Sequence, residues 1–438
     1  MNKSPDSSHL GPIELAPGVQ PKQVIAFVII SMCGYTVFGF IPLMLPYMLT
    51  EQLGLSVELH GRAAASVSFA QQLATIIFIL LFGTLADRFG RRKLLIASML
   101  LMTAATILFP SSSTLYMMLA FSFLLGIGQT LQTAGGATSV IDYPANTSRG
   151  KFICLMLVTQ GLTMALVVGR IGAHIPKWLS DAGLTSVSAG KYAFWFVACF
   201  GIIAFVLAIF GLPLDRKQTR EAGIGWRDEA QAMWRNLKLI LAYAKKNPRF
   251  RVVLLVGCVL RSDFFIVITY LSLWIVSSAR GQNVDAATGL QRAGDLSAIM
   301  QIASFITPLA LAYFVDRFDR IKLIILSLAF SAVSFTSTAL VQDVFGVTAV
   351  IVVGCIGLSE GAMIITTQSL LGQEAPEDLR GSAMGIFILL GILGVALVNI
   401  IGGYLFDAVH YSAPFVMVGI LNLLAFLAAL TLRRRSGA

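Results

Sequence analysis

An α-helix needs about 20 apolar residues to cross a hydrocarbon layer roughly 30 Å thick. This sequence offers twelve such runs one after another, at 24–49, 62–84, 94–110, 114–141, 151–175, 192–213, 252–278, 289–314, 322–341, 345–371, 381–406 and 413–432. Of its 438 residues 57% are hydrophobic and 12% charged, too few polar side chains to clothe a soluble surface of that size. A multi-pass membrane protein is expected. The first run is too long for a signal-peptide core and lacks a convincing cleavage site, so it is read as a retained helix. All five cysteines (33, 154, 199, 258, 355) fall inside runs, which leaves no disulfide framework or loop metal site to argue for, and no cofactor.

A formal charge of +10 suggests nucleic acid until its placement is read. Lys3, Lys22, Arg88 to Lys93, Arg149, Lys151, ten basic residues from Arg216 to Arg251, Arg317 to Lys322, Arg380 and Arg433 to Arg435 fall on one side of the runs. The other side keeps Arg62, Lys177, Lys191, Arg280 and Arg292. That bias puts both termini in the cytoplasm, in a cytoplasmic (inner) membrane, and makes lipid the partner rather than nucleic acid.

The chain repeats itself. "GTLADRFGRRKL" at 83–94 recurs as "AYFVDRFDRIKL" at 312–323, with Asp87 and Asp316 lying 229 residues apart. "GIGQTLQ" leading to "TSRGK" recurs as "GLSEGAM" leading to "DLRGS", with Arg149 and Arg380 lying 231 apart. Two unrelated motifs with nearly one offset predict a six-helix unit used twice. The expected fold is an all-α membrane protein of twelve transmembrane helices in two pseudo-symmetric six-helix bundles, 24–213 and 251–432, between a tail at 1–23 and a basic tail at 433–438. In the linker, 214–250, Trp226, Ala230, Met233, Trp234, Leu237, Ile240, Leu241 and Ala244 recur at helical spacing, which predicts an amphipathic helix on the inner membrane surface, ended by Pro248.

Gly83, Asp87, Arg88, Gly90, Arg91 and Arg92 sit between the second and third runs. In spacing and place they resemble the G-x-x-x-D-R-x-G-R-R signature of the major facilitator superfamily, and with the repeat the resemblance covers almost all of 24–432. It implies an alternating-access transporter, not an enzyme, that takes a small-molecule substrate and is expected to be a monomer. It also implies that Asp87 holds the inner ends of the halves together near Gly381. Arg91 and Arg92 are then expected to reach Asp142, and Arg320 to reach Glu374 or Glu377; Asp316 and Arg317 continue the motif in the second copy, where Ala312 and Asp319 replace its glycines. Drug exporters of the family carry an arginine where this chain has Ser122 and a Gly-Pro antiporter motif that "GLTMALVVGRIGAHIP" lacks. The prolines of "GFIPLMLPYM" resemble those exporters instead.

Charges at bilayer depth survive where they face a cavity or a partner. At about 1.5 Å of rise per residue, Arg261, Glu360 and its repeat counterpart Gln129 all come out near mid-bilayer. Asp263 points away from Arg261 and continues through Tyr270, Trp274 and Ser277, a stripe suited to lining a pore. Arg261 is expected to meet substrate, with Glu360 or Asp263 holding its charge when the cavity is empty; the alternative, compatible with it, is a structural cation neutralised by Glu360 or Asp295. A carboxylate held away from water exchanges its proton nearer neutral pH, which makes Glu360 the first expected proton-coupling residue and Asp263 the second. Arg170 is expected to snorkel. Substrate contacts are expected from Arg261, Asp263, Tyr270, Trp274, Gln129, Glu360 and Tyr35. The expected activity is proton-coupled uptake of a small organic anion; the alternative is proton-driven export of amphipathic drugs or metabolites.

Overall fold

The protein is described from a computed structural model that covers residues 8–213, 226–315, 317–375 and 380–435. Helices account for nearly all of it: α1 Pro21–Tyr47, α2 His60–Phe89, α3 Arg91–Leu108, α4 Leu115–Asp142, α5 Arg149–Leu162, α6 Ile175–Asp181, α7 Ser186–Phe210, α8 Trp226–Lys246, α9 Pro248–Gly281, α10 Ala286–Val315, α11 Arg320–Thr336, α12 Val347–Glu374, α13 Arg380–Ala408 and α14 Ala413–Arg435. Among the described residues, eleven helical stretches are long and apolar enough to cross a membrane. α2 falls where the second apolar run was expected; the side chains of 79–89 lie outside the described residues.

Among the described residues the β-strands lie near the start of the chain. Residues 8–15, expected as plain tail, hold a small hairpin of strands His9–Leu10 and Ile13–Glu14, turned by Gly11 at φ 56°. It rests on the turn after α4, through Ala145 N donating to Glu14 O (2.9 Å) and Glu14 N to Ser148 Oγ (3.0 Å). Gly90, at φ 85°, supplies the left-handed residue that the abrupt turn from α2 to α3 demands.

Two compact units form. The first contains Met1–Thr219 with Ile275–Ala298, and the second contains Arg220–Trp274 with Ile299–Ala438. Residues 275–298 thus pack with the first half of the sequence. Helices that cannot gain from water exclusion in lipid associate by close packing of small residues. In the first unit a side chain at Gly126 would collide with the backbone carbonyl of Gln71, and one at Gly201 with Thr103. In the second, Gly357 meets the carbonyl of Met300 and Gly394 that of Cys258.

The linker helix differs in use from expectation. Ile240 and Ala244 of α8 are buried in the core of the second unit with Phe250, Val253 and Ile324. A helical apolar stripe fits protein and lipid alike, so the sequence pattern does not choose between them. Its neighbours Leu239 and Leu241 stay exposed.

Candidate functional site

Glu360 lies on α12 between Gly357 and Gly361, both pressed on the backbone of α10, at Met300 and Ser304 respectively. Glu360 itself is 4% exposed. Its Oε1 is buried with no hydrogen-bond partner. Towards the α12 C-terminus, Thr366 and Thr367 are also buried, Thr366 Oγ1 bonding back to the Ala362 carbonyl at 2.7 Å.

The same construction stands in the first unit with a different outcome. Gln129 of α4, three residues beyond Gly126, accepts a 2.8 Å hydrogen bond from Gln71 Nε2 of α2. The next residue, Thr130, donates through Oγ1 to Thr75 Oγ1, one turn beyond Gln71 on α2, at 3.2 Å. By the repeat offsets Gln71 corresponds to Met300, so the residue that satisfies Gln129 has no polar equivalent beside Glu360. Gln71 escaped the sequence reading, although its position one repeat before Met300 was available. Tyr35 is half-buried on α1, next to Gly34, on which Gln132 rests.

α9 carries opposite charges on opposite faces. Arg261 is half-buried and leans on α13, where a Cβ at Gly391 would come within 2.7 Å of its Cδ. Its guanidinium carbon lies 5.7 Å from the centre of the Phe265 ring, a cation–π distance. Arg261 Nε is buried with no hydrogen-bond partner. Among the described residues Arg261 forms no ion pair, which corrects the expectation that Glu360, Asp263 or Asp295 neutralises it.

Those carboxylates are engaged elsewhere or stand alone. Asp263 turns to α11 and α14, accepting from Asn422 Nδ2 at 3.0 and 3.1 Å and from Ser331 Oγ at 3.3 Å. Asp295 pairs with Arg170 and lies 3.4 Å from His174 Nε2, all within the first unit. Arg170 therefore has a partner where snorkelling was expected. The pairing is local to a backbone crossing, because a side chain at Gly169 would strike the Gly294 carbonyl at 2.8 Å. The stripe expected to line a pore is packed instead: Tyr270 donates to the Asn399 carbonyl (2.7 Å), and the Trp274 ring centre lies 5.3 Å from that of Phe415. Period alone locates a stripe's face and not what covers it.

Of the loop motif, Arg91 pairs with Asp142, and Arg92 Nη2 donates to the Ile209 carbonyl. Arg317 stacks on the Tyr313 ring at 3.8 Å. Arg320 donates to the Ser369 carbonyl (3.4 Å) in place of the expected Glu374, which is held by Arg249 (3.7 Å) and Asn247 Nδ2 (3.2 Å). The side chains of Gly83, Asp87, Arg88 and Gly381, and all of Asp316 and Glu377, lie outside the described residues.

A helical pattern repeated in the sequence, with a charged loop after its second helix and charged side chains within the spans, is the build of a membrane transporter of the duplicated type. The Major Facilitator Superfamily model matches residues 27–290 and 253–438, and the chain belongs to that family. It is 24% identical over 401 residues to the magnetosome protein MamH of Paramagnetospirillum magneticum, covering 89% of this chain and 88% of that one. It is 24% identical over 389 residues to the multidrug resistance protein MdtH of Escherichia coli O157:H7, covering 86% of each. Among solved structures, that of a D-xylose-proton symporter superposes with a TM-score of 0.70 at 15% identity, covering 93% of this chain and 97% of that one, a likeness of fold.

Proposed function

We propose that the protein is an alternating-access secondary transporter of twelve helices in two six-helix bundles, with both termini cytoplasmic, that takes up a small organic anion with protons. The observation that carries this reading is Arg261, a half-buried cation with an unpartnered Nε and no ion pair among the described residues. A guanidinium in that state is complemented by a carboxylate gripped along its planar fork. Glu360 supplies the proton site, because its carboxylate lacks the donor that its counterpart Gln129 has. Gln129 and Tyr35 contribute neutral contacts, and Asp87 latches the inner ends. The likeness in fold to a proton symporter supports the coupling.

The test begins with a thermal-shift screen of the purified protein against carboxylates, phosphates, sugars and cationic dyes, since a ligand of the folded state raises Tm. A carboxylate should stabilise it, and Arg261→Lys should weaken that carboxylate by about 1–3 kcal/mol while Tm without ligand barely moves. Stability lost with affinity intact would make Arg261 structural. Stabilisation by cationic dyes alone would favour the second reading, export of amphipathic compounds, for which the relative named a multidrug resistance protein speaks.

A further inference from the structure

The cluster of Asp263, Ser331 and Asn422 joins three helices, α9, α11 and α14, in the middle of the second unit. All three side chains are almost completely buried, Asp263 at 1% exposed. No cation reaches the carboxylate among the described residues. Arg261, two positions away, lies on the other face of α9 against α13. Glu360 of α12 is the other ionisable group close enough to act on Asp263, and it brings no positive charge. Ser331 and Asn422 are neutral, so the elements packed on Asp263 offer dipoles and no counter-charge.

The hydrogen-bond inventory does not close with an ionised Asp263. Asn422 Nδ2 has two hydrogens and faces three acceptors: Asp263 Oδ1 at 3.0 Å, Asp263 Oδ2 at 3.1 Å and the Val418 carbonyl at 3.1 Å. Meanwhile Asn422 Oδ1 is fully buried with no donor. The cluster has one acceptor too many and one donor too few. A single proton on Asp263 corrects both counts: after a small turn of the amide, the acid O–H donates to Asn422 Oδ1, one amide N–H donates to the acid C=O, and the other keeps Val418. This cyclic acid–amide pair leaves Ser331 Oγ still donating to the carboxyl group. A metal ion suits the cluster less well, since the oxygens present are the carboxylate pair, one hydroxyl and one amide, short of the six or more that a hard cation such as calcium takes.

We propose that Asp263, Ser331 and Asn422 form a proton-binding site, in which Asp263 holds an exchangeable proton as a neutral acid paired with the Asn422 amide, separate from Glu360. A neutral Asp263 leaves Arg261 as the net charge of this stretch of α9, so that a proton bound on one face favours an anion on the other. That coupling role rests on the proton-driven anion reading above, whereas the proton itself does not.

The probe is the proton, read by infrared difference spectroscopy of the full-length protein in lipid nanodiscs as the pH is stepped from acid to alkaline in H2O and D2O. The expected result is a protonated-carboxyl C=O band present at neutral pH that shifts in D2O and is lost in Asp263→Asn. In Asn422→Leu the band should move to higher frequency, as it does when a carboxyl group loses a hydrogen bond, and in Glu360→Gln it should remain. Identical carboxyl regions in wild type and Asp263→Asn would overturn the site, as would a band indifferent to Asn422→Leu. Should Asp263→Asn fail to fold, the proposal also fails, because asparagine mimics the neutral acid and is expected to keep Tm within a few degrees. Persistence of this band alongside unimpaired coupling in Glu360→Gln would reject the Glu360 assignment and leave the Asp263 site standing.

Discussion

The two repeats cross their second and fourth helices in the same way and finish the crossing differently. Gly126 on the Gln71 carbonyl and Gly357 on the Met300 carbonyl are the same contact made twice, with Ala74 and Ala303 as the next neighbours in each. At the following polar position the first repeat closes a Gln71–Gln129 bond, and beside it Thr75 pairs with Thr130. The second repeat has Met300 opposite Glu360 and presses Gly361 directly on Ser304. The two crossings share the glycine that lets backbones touch and differ in the side chains beside it. One copy pairs its polar residues with each other, and the other leaves Glu360 Oε1 without a hydrogen-bond partner.

The largest effect expected from erasing that difference is functional. Glu360→Gln makes the second repeat resemble the first, and it should abolish accumulation driven by a pH gradient while leaving exchange of the screened ligand. Proteoliposome uptake with and without an imposed gradient checks this. Gln71→Leu, which opens the polar pair of the first repeat, should leave the gradient response in place; equal loss in both variants would erase the proposed asymmetry.

Next comes a stability effect that the copies should share. A leucine at Gly357 or Gly126 must displace a backbone carbonyl, so each should lower stability by about 1–3 kcal/mol or more. Gly354 has open space around its Cβ direction and serves as the control. Thermal unfolding in detergent should separate the pair from the control, and a similar Tm in all three would mean that the crossings are looser than the shared geometry implies. Gln71→Leu follows at about 0.6 kcal/mol, up to ~1.7, the range for interhelical hydrogen bonds in bilayers. Met300→Leu, which breaks no bond, should cost less.

Much of this comparison is written in the sequence. Apolar length alone predicts the helices, and the two motif offsets match Gly126 with Gly357 and Gln129 with Glu360 before any coordinates. Partners across helices are another matter. Asn422 lies 159 residues from Asp263, and Arg170 lies 125 from Asp295, distances at which no spacing rule operates. Mid-helix depth singled out Asp263, but its direction depended on whether α11 and α14 or a cavity stood opposite, and α9 is polar on both faces. The same ambiguity affected Tyr270, Trp274 and the apolar face of α8.

The smallest difference between the copies is at the helix starts, and it is sensitive to pH. α2 begins at His60, and its N-cap residue Leu59 makes no side-chain cap. α10 is preceded by Asp285, whose carboxylate accepts from the Thr288 amide (2.9 Å) and hydroxyl (2.6 Å) in the loop outside the spans. Burial by itself lifts the Asp285 carboxyl, but the Thr288 hydrogen bonds, with Lys177 adding positive charge, outweigh it and hold the group below its usual range. A carboxyl depressed in the folded state binds its proton more weakly there than when unfolded. Its stabilisation is therefore complete above the ordinary carboxylate range and fades as the pH falls through about 4 and below. Asp285→Ala should cost about 1 kcal/mol at neutral pH, the usual worth of such a cap. The cost should shrink towards zero in acid, whereas Ser56→Ala at the matching place before α2 should cost less at either pH. Paired melting curves of the two variants at neutral and acid pH decide it: a pH-independent loss in Asp285→Ala would show that the residue acts through packing rather than through its charge.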